Sequence, residues 1–193
     1  QEFRKDFGQD GLVVVIANTS EDFYEKDNFR DWYELGNRLK KLKVHIAGTP
    51  VGDSVSAIDS VFSEAHLFNI YKNDSLKKFE LNPLFTSFPK NQKAVDSIKN
   101  VVYSLPFYRN MIYKDSSNLH IMMVFVNEPI FNSKNRGSLV FDIAAIAEEY
   151  TDSLGEFKYS GLPYIRAVTM KKVTDELSIF ILLTIVITSL LLF

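Results

Sequence analysis

The stretch GLVVVIANTSEDFYEKDNFRDWYELGNRLKKLKVHIA, residues 11–47, decides the fold class, because a strand period, a helix period and a second strand period follow one another within it. Its opening, Gly11-Leu-Val-Val-Val-Ile-Ala17, is an unbroken β-branched run, the pattern of a strand buried on both faces. Asn18, Thr19 and Ser20 supply turn chemistry after it. Over residues 27–42, Phe29, Trp32, Tyr33, Leu35, Leu39 and Leu42 recur at helical spacing, with Arg30, Asp31, Glu34, Arg38, Lys40 and Lys41 between them. Such a helix turns Trp32 toward a core, and its cationic last turn suits the helix dipole. Residues 44–47 return to strand character before Gly48-Thr49-Pro50, and Val55-Ser56-Ala57-Ile58 can extend that strand beyond the turn. The reading is β-α-β.

The pattern recurs further along the chain. Residues 119–126 read as a strand, and after Asn127-Glu128-Pro129 a helix over 138–154 places Leu139, Ile143, Ile146, Ala147, Tyr150 and Leu154 on one side. Gly155 is its expected stop, and residues 157–160 form the next strand, ending near Gly161-Leu162-Pro163. Two β-α-β units joined by an insertion predict an α+β, ferredoxin-like split β-α-β fold. Strands 11–17, 44–47, 119–126 and 157–160 would share one sheet, with both long helices on the same face. The insertion, residues 59–118, follows no single period for long. Its clearest element is a helix over 92–105, marked by Val95, Ile98, Val102 and Leu105 and broken by Pro106, while Asn82-Pro83 and Phe88-Pro89 punctuate what precedes it. Phe85, Phe88, Phe107, Tyr108, Met111 and Tyr113 lie on no regular stripe. They fit either a small core beneath a long loop or an adaptable apolar groove for a lipid-like ligand.

Residues 177–193 carry no charge, and only Ser178, Thr184, Thr188 and Ser189 interrupt Leu, Ile, Val and Phe. At about 1.5 Å per residue this helix is roughly 25 Å long, close to the roughly 30 Å hydrocarbon core, and it is apolar all round. It reads as a truncated transmembrane helix, which divides the chain into an α/β domain over 1–170 and a segment over 171–193 that leads into the membrane. A start at Gln1-Glu2-Phe3 reads as a cut or processed chain. The 22 Lys and Arg against 24 Asp and Glu leave a net charge of −2, so the basic surface that nucleic acid requires is missing. With no cysteine, disulfides, thiolate zinc and thiol catalysis are all excluded.

Catalytic signatures are also missing. There is no Gly-x-Ser-x-Gly elbow, and His45, His66 and His120 are scattered, without a His-Glu-x-x-His or an acid at ligand spacing. His45 and His120 fall in predicted strands and read as structural. Gly48-Thr-Pro-Val-Gly52 lacks the Gly-Lys-Ser/Thr that holds a phosphate and reads as a turn. Glu148 and Glu149 are helix neighbours that point in different directions, a charged surface rather than a carboxylate pair. Asn18-Thr-Ser and Asn73-Asp-Ser match the glycosylation pattern, which is frequent by chance. The expectation is a protein with no catalytic activity, no cofactor and no metal.

In its order of elements the chain resembles the first large extracytoplasmic loop of resistance-nodulation-division (RND) transporters, in the mycobacterial membrane protein large (MMPL)/Patched-like branch. The similar stretches are Phe3-Arg-Lys-Asp-Phe-Gly8, the strand at 11–17, and Ser160-Gly-Leu-Pro163 running through residues 165–176 into the apolar segment. The resemblance implies a porter subdomain on the periplasmic side of the inner membrane, leading into the second transmembrane helix. It further implies proton-driven export of lipids or other hydrophobic compounds, with the rest of the same transporter chain as partner. The proton-relay acids of that family lie in later helices, so this segment would shape the substrate route, with Phe85, Phe88, Phe107 and Tyr108 as candidates to line it. The competing reading is a tail-anchored binding or scaffold protein with a cytosolic domain, which Lys171 and Lys172 beside the apolar segment would suit.

Overall fold

A computed structural model describes residues 12–45, 54–73, 77–131 and 136–192. The chain runs β1 (Val13–Thr19), α1 (Lys26–Lys40), β2 (Lys43–His45), β3 (Ser54–Ser56) and β4 (Ile58–Phe62), then a 3-10 turn at Glu64–His66. It continues with β5 (Phe68–Asn73), β6 (Lys78–Pro83), α2 (Gln92–Tyr103), a 3-10 turn at Pro106–Tyr108, β7 (Tyr113–Lys114) and β8 (Leu119–Val126). The last elements are α3 (Glu128–Phe131), α4 (Arg136–Glu148), α5 (Thr151–Leu154), β9 (Phe157–Ser160) and α6 (Leu162–Leu192). The protein is therefore mixed α+β, with an antiparallel sheet and a C-terminal apolar helix.

The main sheet has the order β4-β8-β1-β9, all neighbours antiparallel, and β7 continues the β4 side of β8. Register partners point to the same side, so Val14 and Ile16 of β1 face the same way as Val124 and Met122 of β8. Onto that side α1 brings Phe29, Trp32, Leu35 and Leu39, and α4 brings Leu139, Val140, Ile143 and Ala147; all are buried in one core. Both long helices lie on one face, as the apolar stripes predict. A second small core of Leu67, Val102, Tyr108, Ile112 and Tyr113 lies beside the sheet, with Phe62 and Met123 packed against it.

One strand assignment is corrected. Residues 43–45 do not join the main sheet but pair with β3 in a separate two-stranded ribbon, and residues 46–47 lie outside the described residues. Gly48–Gly52 and Phe3–Gly8 also lie outside them. The place beside β8 belongs to β4, because Ile58 and Val61 are each 3% exposed beneath α1 whereas all three β3 residues are exposed. Burial of two large apolar side chains outweighs what the ribbon could offer there. The insertion consequently begins after Phe62, and it contains the β5–β6 hairpin as well as α2.

The remaining elements differ from expectation at their ends. β1 runs on through Asn18, which is buried and donates from Nδ2 to the Leu154 carbonyl, so this side chain is closed to a glycan in the folded chain. The helix expected over 138–154 breaks after Glu148, where Arg38 of α1 grips Glu149 with two bonds of 2.6 and 2.8 Å. Gly155 ends α5 at φ +78°, donating its N–H to the Thr151 carbonyl. On α2, Asn91 caps the first turn by accepting from the Ala94 N–H at 2.9 Å.

α6 starts well before the charge-free segment and spans 31 residues, about 46 Å at the α-helical rise. It is long and apolar enough to cross a membrane, and Leu177, Phe180, Leu183, Ile187 and Leu190 are all exposed. Four of its hydroxyls bond back to the preceding turn: Thr174 to the Met170 carbonyl at 2.9 Å, and Ser178 to Thr174, Thr184 to Phe180 and Thr188 to Thr184, each at 2.8 Å. No polar hydrogen of these side chains is left facing an apolar surrounding.

Candidate functional site

The four aromatic residues singled out as route-lining candidates fall into three settings. Phe85 and Phe88, 6.4 Å apart, are half-buried against α1, with Phe29 at 6.2 and 6.1 Å and Tyr33 at 5.4 and 5.7 Å. The Arg30 guanidinium lies over the Phe88 ring at 5.3 Å. Tyr108 is buried in the second core beside Phe62, its hydroxyl donating to the Phe68 carbonyl at 3.4 Å. Phe107 is 76% exposed. These placements separate stability from surface function: Tyr108→Ala should cost about 2 to 3 kcal/mol through the cavity it leaves. Phe107→Ser should stay within about 0.5 kcal/mol, because the ring is mostly in solvent and meets only the edge-to-face contact of its neighbour Tyr108 at 5.4 Å among the ring contacts of the described residues. Thermal melts of the two variants check both values.

An apolar groove of about 910 Å³ lies elsewhere, between α4 and the first half of α6. Gly137 and Phe141 form one wall, and Pro163, Arg166, Met170 and Val173 the other. The spacing of these α6 residues, three or four apart, puts them on one side of the helix. Lys171 leans over the Phe141 ring with its ammonium 5.3 Å from the centroid, so the mouth carries a cation beside an apolar floor. Met170 is 61% exposed and Val173 45%, and the groove reaches Asp175, next to the last charged residue before the apolar span. Most of the cleft surface is apolar, although Arg166, Thr169, Lys171, Thr174 and Asp175 also line it, and its position brings it next to any membrane that α6 enters.

A third arrangement escaped the sequence reading. Glu64, fully buried, meets His120 Nδ1 at 2.9 and 3.1 Å and accepts from the Tyr24 hydroxyl at 3.2 Å. His120 and Glu64 are 56 residues apart, so no local spacing reveals the pair. The available signal was an acid inside the apolar run Val61-Phe62-Ser63-Glu64-Ala65-His66-Leu67, since a carboxylate amid such neighbours is buried only with a partner. His66, in the same turn, shares a proton with the Ser63 hydroxyl at 2.9 Å and packs on the Gly36 backbone. Burial, and then the nearby Lys40, push its imidazole down to about 3, so it is neutral at physiological pH.

Glu148 and Glu149 serve separate partners, Glu148 accepting from the Tyr159 hydroxyl at 2.8 Å while Glu149 holds Arg38. Among the described residues, no three His, Asp or Glu side chains gather as a metal site would need. His45 lies in β2 and His120 in β8, the strand settings expected of them, although the ribbon of β2 is separate from the sheet of β8. No family model, curated protein or solved structure matches this chain.

Proposed function

We propose that this chain is an extracytoplasmic porter-type domain, of ferredoxin-like split β-α-β topology, from a proton-driven RND-type exporter of lipids or other hydrophobic compounds. Its role is to shape the substrate route where the domain meets the membrane, and it performs no catalysis itself. The observation that carries the reading is the sheet order β9-β1-β8-β4 under two helices on one face, followed at Gly161 by direct passage from the edge strand into the apolar helix α6. A split β-α-β unit has this strand order, and the immediate strand-to-helix turn couples the sheet edge to the span. The α4–α6 groove supports the hydrophobic substrate class, being apolar, wide enough for a small ligand and set against the start of the span.

The test is gradient-driven export of a fluorescent lipid analogue by the intact gene product in proteoliposomes. Met170→Asp and Val173→Asp place a charge in the groove at exposed positions. They should reduce export several-fold while leaving the thermal midpoint unchanged. A gene product with one membrane segment and no gradient-dependent export overturns the exporter reading, because a single helix cannot build an alternating-access pathway, and leaves the tail-anchored binding protein in its place.

A further inference from the structure

We propose that Glu64, His120 and Tyr24 form a pH-sensitive clamp, which fastens the insertion of residues 63–118 to the central sheet and loosens as the pH rises. Three separate segments meet at this point. Tyr24 comes from the connection between β1 and α1, Glu64 from the turn that opens the insertion, and His120 from the middle strand β8. The His120 imidazole is held in place by face-to-face stacking on Phe23, 3.6 Å between centroids and 6° between planes. Glu64 reaches into this contact from the insertion, and its carboxyl has no exposure to water.

The chemistry of the pair follows from its proton count. With one proton shared between carboxyl and imidazole, the buried site is neutral overall, either as two neutral groups or as an ion pair. Loss of that proton leaves a carboxylate whose charge, among the described residues, no cation at bonding distance offsets. Burial is the main influence on Glu64 and raises its carboxyl above the usual range; the His120 imidazole and then the bond from the Tyr24 hydroxyl oppose this, while the Asp115 carboxylate reinforces the rise. The other groups facing the site do not cancel the effect. Tyr103 of α2 is pushed up to about 12 by burial and then by Glu64, and Tyr113 of β7 is raised, first by burial. Lys99 of α2 lies over the rings of Tyr24 and Tyr103, at 5.2 and 5.6 Å, rather than on the carboxyl. Arg109 pairs with Asp115 at 3.4 Å, and His66 is neutral. A carboxyl raised in the folded state contributes stability that is fully present below its unfolded value, near 4.5, and is lost as pH rises through the folded value. The clamp is therefore strongest in acid, and it stands whether or not the domain belongs to an exporter.

The experiment is hydrogen exchange on the intact chain in nanodiscs from pH 5 to 8, corrected for the chemical exchange rate. Amides of residues 63–68 and 112–120 are compared with those of α1. In the wild-type chain the opening of the insertion should grow with pH, by up to about tenfold per pH unit where a single proton is released on opening. Glu64→Gln should remove that dependence, because its amide does not titrate. His120→Asn removes the imidazole that favours the carboxylate and should move the loosening to higher pH. An equal pH slope in Glu64→Gln, a wild-type opening that falls as pH rises, or a His120→Asn profile superimposable on wild type overturns the proposal. If Glu64→Gln fails to fold, the wild-type slope and the His120→Asn shift still decide it.

Discussion

Trp32→Ala should destabilise the domain by about 3 to 5 kcal/mol, lowering the thermal midpoint by roughly 6 to 20 °C for a chain of this size. Trp32 is fully buried, with its indole edge-on to Phe23 at 5.5 Å and stacked over Phe157 of β9 at 6.3 Å. It thus joins the helix of the first β-α-β unit to the last strand of the second. Truncation to Ala opens a cavity among groups fixed by both units, so collapse around it is limited. Trp32→Phe should cost much less, for a specific reason: the indole Nε1 is buried without a hydrogen-bond partner, and its removal takes away an unsatisfied donor along with part of the ring. Denaturation of the two variants tests this directly, and a Phe variant as unstable as the Ala variant would mean that the Nε1 hydrogen does find an acceptor.

The burial of Trp32 was legible because the stripe of α1 is strong: Phe29, Trp32, Leu35 and Leu39 are all fully buried, as their spacing requires. β8 was legible for the same kind of reason, alternating buried and half-buried along its whole length. β4 was not. A bulge between Ile58 and Ser60 sets its inward residues Ile58 and Val61 three apart, with Asp59 and Ser60 exposed between them, so the period of two on which strand reading depends is broken. Residues 44–47 were then the more strand-like choice on composition alone, and the short ribbon formed by residues 43–45 gives no contrary signal. The candidate sites separate along the same line. Phe141, Met170 and Lys171 come together only because α6 begins at Leu162 and packs against α4, and although Pro163 in its first turn marks the break from β9, no apolar stripe before 177 tells which side of the helix faces the domain. The partnership of Glu64 with His120 is likewise a product of the sheet register, which places His120 beside the turn that follows β4.

Gly161→Ala should cost about 3 to 5 kcal/mol, despite adding a single methyl group, and should disturb the join between the domain and α6. Gly161 has φ +100°, a conformation that L side chains rarely adopt, and holding Ala there costs about 1 to 3 kcal/mol. A Cβ at this position would also collide with the Val13 carbonyl oxygen and crowd Val14 Cα at 3.3 Å. These are backbone atoms of β1, paired on its other side with β8, so they cannot swing aside as a side-chain end would. The collision adds about 1 to 3 kcal/mol of its own and can be relieved only by parting β9 from β1 or by tilting α6 away from the sheet edge. Gly155→Ala separates the two contributions. Gly155 also has positive φ, +78°, but has open space where the Cβ would lie, so its Ala variant should show the backbone strain alone, about 1 to 3 kcal/mol. Melts of both variants give the difference, and hydrogen exchange shows where it acts: in Gly161→Ala, protection should fall first at residues 157–165, including the Ile165 N–H that bonds the Gly161 carbonyl at 3.0 Å. Equal costs for the two glycines would mean that β1 yields freely at Val13, and that the sheet edge does not hold α6 at a fixed angle.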